Sequence, residues 1–207
     1  MDSTNVSAII LAAGESKRLQ TNKLLLMYRG KPLIEHVMHL VRSFDFHEVL
    51  LVVSEENLLE LQRFEYESVN GHRKRVQIPE DFKILVNQHI NRGLSHSVVF
   101  STEVASGEAY LFLTVDQPLL TSNLINEILS SGNTRNIVFP MKQGKPCSPT
   151  FFGREFRTDL LHVKGQTGGS SIRDLYTFAH IKIPVENETQ LLDIDTLEDY
   201  SILRGIL

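Results

Sequence analysis

The chain has 207 residues, 42% of them hydrophobic and 22% charged, with a formal charge of −4 at pH 7. That length fits one α/β domain able to bury a full core, and the acidic balance argues against nucleic-acid or anionic-membrane binding by bulk electrostatics. Cys147 is the sole cysteine, no apolar run approaches the roughly 18–20 residues of a membrane span, and residues 1–5 lack a signal-peptide pattern, so a soluble, cytoplasmic protein without an intrachain disulfide is expected.

Residues Val6–Ala12 read as a buried strand that breaks into small residues. Ala12, Ala13 and Gly14 leave room for a ligand to approach the backbone, whose N–H groups can face phosphate oxygens. A polar segment with Ser16, Arg18 and Lys23 follows, and the two cations supply the fixed positive charge a triphosphate requires. The order is neither Gly-x-x-x-x-Gly-Lys-Ser/Thr nor Gly-x-Gly-x-x-Gly. Residues 9–25 nevertheless read as a nucleotide-binding loop.

Leu33, Val37, Leu40, Val41 and Phe44 recur at helical spacing and predict an amphipathic helix over 32–44. Residues 49–53 are a continuous aliphatic run, as in a strand covered on both faces, and 55–64 read as helix. The polar stretch 66–81, with His72-Arg73-Lys74-Arg75, reads as a solvated loop. A short strand is expected at 84–86, a helix from about residue 97 to 106, and a buried strand over 110–115 ending at Asp116. A helix over 121–129 with Thr121 or Ser122 as cap, strands at 137–139 and 149–152, and a helix over 155–163 complete the pattern. Strands alternate with helices without a dividing linker, so residues 1–207 form one domain with a mostly parallel sheet and helices on both faces. In such sheets ligands sit beyond the carboxyl ends of the strands, where the Gly14 loop and Asp116 converge.

A carboxylate fixed at the end of a strand, as in Val115-Asp116-Gln117-Pro118, suits Mg²⁺, which binds carboxylate and substrate phosphate together; an Asp that merely initiates the turn before proline is the equal alternative. In Leu192-Asp193-Ile194-Asp195-Thr196, either Asp195 or Thr196 caps a closing helix. Gly93, Ser95 and Ser97 present free N–H groups and short side chains at a helix start; the two serines are equally plausible as plain caps.

Leu11-Ala12-Ala13-Gly14, Ser16, Arg18 and Lys23-Leu24-Leu25 together resemble the signature of the MobA-like nucleotidyltransferases, with Gln20 where the family usually has glycine. The resemblance implies a three-layer α/β/α, Rossmann-like fold of the nucleotide-diphospho-sugar transferase type. It also implies Mg²⁺-dependent transfer of a nucleotidyl group, with Arg18, Lys23 and Asp116 as catalytic residues. Leu11, Ala12, Ala13, Gly14, Ser16, Arg18, Lys23, Gly93 and Ser95 would bind the nucleotide, Asp116 and Asp195 the metal, and Gln117, Pro149, Gly165 and Gly168 the acceptor. Leu-Ala-Ala-Gly and Asp116-Gln117-Pro118 are similar to the cytidylyl branch. They imply CTP as donor, a molybdopterin-type cofactor as acceptor, and a molybdenum hydroxylase apo-enzyme as recipient. The chain departs from that branch at Ser148, Gln166 and Ser170, where relatives carry His, Asp and Arg, and at Leu197, where they carry proline. Those changes alter charge around the acceptor and leave open a different phosphorylated acceptor, such as a sugar phosphate or methylerythritol phosphate, or a non-catalytic cofactor-binding accessory role.

Overall fold

Successive side chains of a strand point to opposite faces, and in strand β1 (Val6–Ala12) both faces are buried. Val6, Ala8, Ile10 and Ala12 enter one apolar cluster, while Ile9, Leu11 and then Ala13 enter another. A strand so divided lies at the centre of a sheet covered on both sides. The computed structural model, which describes residues 1–14, 19 and 21–206, shows that arrangement.

After β1 come a hairpin, β2 (Met27–Tyr28) and β3 (Lys31–Pro32), and helix α1 (Leu33–Arg42). Next are β4 (Glu48–Val53), α2 (Glu55–Arg63), a second hairpin of β5 (Glu65–Glu67) and β6 (Arg73–Arg75), β7 (Phe82–Val86) and α3 (Leu94–Val104). The chain continues through β8 (Ala109–Thr114), α4 (Ser122–Ser131), β9 (Ile137–Lys142), β10 (Lys145–Pro146) and β11 (Thr150–Gly153). It closes with α5 (Arg157–Leu160), α6 (Ser170–Leu175), β12 (His180–Pro184) and α7 (Leu197–Gly205).

Eight strands form the main sheet in the order β10-β9-β11-β8-β1-β4-β7, with β12 also paired to β9. Contacts of β1 with β4 and β8, of β4 with β7, and of β9 with β12 are parallel; β11 runs antiparallel to β8 and β9. Val37 of α1, Leu61 of α2 and Ile128 of α4 pack on one face; Val98 of α3 and Leu160 of α5 pack on the other. The three layers match the expectation. No helix among the described residues is long and apolar enough to cross a membrane.

Three local expectations need correction. The stretch 66–81 contains the β5–β6 hairpin, held down by buried Tyr66, whose hydroxyl lies 2.8 Å from both carboxylate oxygens of Glu35. Helix α3 starts earlier than expected, at Leu94. The helix expected over 155–163 is a 3-10 turn, Arg154–Phe156, followed by the single turn α5.

One charge is buried at the far end of the sheet from the strand C-termini. Glu48, 8% exposed, receives Ser7 Oγ at 2.7 Å, Ser106 N–H at 2.6 Å and Lys83 Nζ at 2.7 Å. Burial opposes its ionisation, but Lys83, Ser106 and Ser7 outweigh that cost and hold the carboxyl down at about 2.

Candidate functional site

In the parallel register Leu11 of β1 stands beside Thr114 of β8, so the chain leaves both strands at the same edge of the sheet. Gly14 and Asp116 follow within two residues of those strand ends. Among the described residues, nothing lies within 4 Å of a Cβ built on Gly14.

Lys23 opens the 3-10 turn Lys23–Leu25, which Asn22 caps by accepting the Leu24 N–H at 3.0 Å. Its Nζ lies 3.1 Å from Asp116 Oδ2 and 2.8 Å from Asp195 Oδ1. The second carboxylate arrives from the far end of the chain. Ile194 N–H donates to the Asp116 carbonyl at 2.9 Å, which ties the segment before α7 to the end of β8. Thr196, not Asp195, caps α7: its Oγ1 accepts the Asp199 N–H while the Asp199 carboxylate accepts the Thr196 N–H, a reciprocal capping box. Asp195 is thereby left to face Lys23.

Burial works against the Lys23 charge, but the Asp116 and Asp195 carboxylates more than offset it and raise its pKa. Asp193 stands nearby. The protein crowding its carboxyl, with the Asp116 and Asp195 charges, pushes it up to about 6, although part of the side chain still meets solvent. Among the described residues, Asp116 Oδ1 is buried without a hydrogen-bond partner, while the Gln117 amide, 1% exposed, stands against the Asp193 carboxyl. Buried polar atoms are ordinarily paired, so an unpaired carboxylate oxygen at the strand edge is a group that a ligand could satisfy.

The same residues bear on a divalent cation. Among the described residues no group of three or more His, Cys, Asp or Glu side chains is arranged to hold a metal. Mg²⁺ does not need such a cage, because it is commonly held by one or two carboxylates together with waters and substrate phosphates. Asp116, with a buried unpaired oxygen, and Asp195 fit that mode.

The segments expected at the base and at the acceptor meet. Gly93 (φ +80°) precedes α3, and a Cβ there would fall 2.6 Å from Gln166 Oε1, so the Gln166 amide lies directly over its backbone. Ser95 N–H donates to Gly165 O at 3.3 Å, and Gly168 packs against Leu94. Ser95 and Ser97 are buried and neither caps α3: Ser95 Oγ is 3.4 Å from the Arg92 carbonyl, and Ser97 Oγ accepts from Asn87 at 2.9 Å. Thr150 pairs with Phe112 in antiparallel register, so Pro149 enters β11 at the end where Asp116 emerges. Ser16 and Arg18 lie outside the described residues. A cleft of about 1280 Å³ runs along α1 and the β5–β6 hairpin, but none of the candidate residues lines it.

Asn22, Asn57 and Asp193 were not among the residues expected at the site. Asn57 carried one readable signal, a polar side chain one helical turn before buried Leu61 on an otherwise apolar face. Nothing in the sequence singles out Asn22.

A nucleotide-handling α/β sheet, with its polar site at the C-terminal edge of β1 and β8, is the class these features define. The MobA-like NTP transferase domain family model matches residues 8–182, and the chain belongs to that family. Similar curated proteins include the bifunctional protein GlmU of Thermoanaerobacter pseudethanolicus, 30% identical over 72% of this chain and 30% of that protein. A probable molybdenum cofactor guanylyltransferase of Natranaerobius thermophilus is 27% identical over 68% of this chain and 62% of that one. The purine catabolism protein PucB of Bacillus subtilis is 25% identical over 99% and 98%. The chain thus spans less than two thirds of the length of the first two relatives. In fold it is similar to Rv0371c of Mycobacterium tuberculosis, with TM-score 0.82, 20% identity and coverage of 99% and 100%. The manganese complex of Rv0371c gives a TM-score of 0.73, 17% identity and coverage of 98% and 100%.

Proposed function

We propose that this chain is a nucleotidyltransferase that moves CMP from CTP to a phosphorylated acceptor of the molybdopterin type and releases pyrophosphate. The observation that carries the reading is Lys23 held between Asp116 and Asp195 at the strand edge where β1 and β8 end. A phosphate oxygen of the acceptor attacks the α-phosphorus, a new P–O bond forms, and the bond to pyrophosphate breaks with its electron pair on the leaving group. No nucleophilic side chain is needed; the protein aligns the reactants and balances developing charge. Lys23 supplies a fixed cation, and the backbone after β1 supplies N–H donors. The buried Gln117 amide supplies hydrogen bonds on the acceptor side, where Pro149, Gly165 and Gly168 also lie. Asp116 and Asp195 would hold Mg²⁺, which supplies charge neutralisation on phosphate oxygens when bound. The manganese complex of Rv0371c supports a divalent metal in this fold.

The choice of CTP rests on the Leu11-Ala12-Ala13-Gly14 order, and the acceptor on resemblance, supported by the guanylyltransferase relative. A molybdenum hydroxylase apo-enzyme would then receive the product, in the cytoplasm. Pyrophosphate release with Mg²⁺ and purified molybdenum cofactor, using CTP, GTP, ATP and UTP separately, tests all of this. Release with CTP alone is expected. Release with another nucleotide would overturn the donor. Tight cofactor binding without release would make the chain a cofactor-carrying accessory protein, the reading that Ser148, Gln166 and Ser170 favour.

A further inference from the structure

We infer that Asn57 is a positioning residue for the nucleotide-binding segment, whose two ends it fastens to helix α2. The inference rests on the nucleotidyltransferase reading. Asn57 Nδ2 donates to the Ala12 carbonyl at 2.7 Å, where β1 stops and the segment begins. Its Oδ1 accepts from Asn22 Nδ2 at 3.0 Å, where the segment ends and Lys23 follows. Asn22 Nδ2 also donates to Glu60, one turn further along α2, and Asn22 Oδ1 accepts the Leu24 N–H. The Asn57 backbone N–H is itself held by Ser54 Oγ at 3.0 Å.

Each amide in this chain of bonds has only one workable orientation. A carbonyl at Ala12 requires the Nδ2 of Asn57, which leaves its Oδ1 for Asn22. A donor at Leu24 and a carboxylate at Glu60 require the matching orientation of Asn22. Asn57 is 9% exposed, and a buried amide costs stability unless both its polar atoms are paired. A leucine would serve a helix facing the core equally well, so packing alone does not explain this residue. Its geometric effect is specific: one side chain ties both Ala12, where β1 ends, and Asn22, next to Lys23, to helix α2. Sites held by such supporting bonds bind without first ordering themselves.

The test is calorimetric titration with Mg²⁺ and each of CTP, GTP, ATP and UTP, alongside thermal melts. Asn57→Leu keeps the size, improves helix propensity and removes both bonds. Asn22→Ala breaks the same chain of bonds at a half-buried position on the segment side. General destabilisation lowers the titrated stoichiometry and leaves the Kd of the folded fraction alone. Lost positioning raises the Kd. We expect both variants to bind nucleotide roughly ten- to a hundredfold more weakly at near-unit stoichiometry, with the double variant little worse than either. Wild-type Kd values in the folded variants would overturn the role of Asn57. Should Asn57→Leu fail to fold, Asn57→Ala, which removes the same two bonds and leaves the Asn22 bonds to Glu60 and Leu24 in place, decides in its stead. A wild-type protein that binds none of the four nucleotides would overturn the nucleotidyltransferase reading, and this inference with it.

Discussion

Lys23 keeps apart two carboxylates that would otherwise confront each other in a crevice half shielded from water. Lys23→Met should therefore do two things. Nucleotide affinity should drop at least about tenfold, and the melting temperature should fall because Asp116 loses its partner while 20% exposed. Titration calorimetry and a thermal melt read the two separately; unchanged nucleotide affinity would remove Lys23 from the phosphate site. Asp116→Ala should abolish metal-dependent pyrophosphate release in a folded protein, and full activity there would overturn the metal role. Ala13 packs with Ile9, Leu11 and Val98 and is 5% exposed. The methyl of Ala13 thus fills the core, and the choice of CTP rests on the order of residues 11–14 alone. Lys23 and Asp116 could be read from the chain because each follows a buried strand at a motif's spacing. The partners of Asn57 and Asp193 could not, since they lie tens of residues away, Ala12 for one and Asp116 for the other.

At the level of the elements, the start of α7 makes an unusual substitution favourable. Leu197 is the first residue of that helix and is 61% exposed. A first-turn N–H has no intrahelical acceptor, so proline costs nothing there, and its ring is already set for helical φ. The preceding Thr196 has φ −130° and ψ 167°, the extended conformation that a following proline requires. Leu197→Pro should raise stability by about 0.4–1 kcal/mol, visible as a higher melting temperature; a lower one would contradict this account of the cap. Buried strands such as β4 and β8 were legible because both their faces demand apolar residues. The β5–β6 hairpin was not: its strands have three residues each, Arg73–Arg75 are exposed, and only Tyr66 anchors them. The turn at Arg154–Phe156 escaped for a related reason. Arg157 is bound to the Thr102 and Glu103 carbonyls at the end of α3, a tertiary contact that periodicity does not contain.

Across the whole molecule, stability should carry the mark of Glu48. In the unfolded chain this carboxyl titrates near its ordinary value of 4.5, and in the fold near 2. The depressed value means that the charged form favours the fold, by roughly 3 kcal/mol above the ordinary carboxylate range. That contribution shrinks as pH falls from 4.5 toward 2 and is absent below. Glu48→Gln should accordingly be less stable than the wild type in urea at pH 7, with the gap closing across that window; a gap independent of pH would rule out the linkage. The site imposes an order in time as well. Lys23 and Asp195 meet across 172 positions of sequence. A ribosome adding about 5–20 residues per second completes the first partner on the order of ten to thirty seconds before the second. Through that interval the growing chain has Lys23 without its second carboxylate, so the crevice comes into being only when Asp195 has left the ribosome and docked against the end of β8.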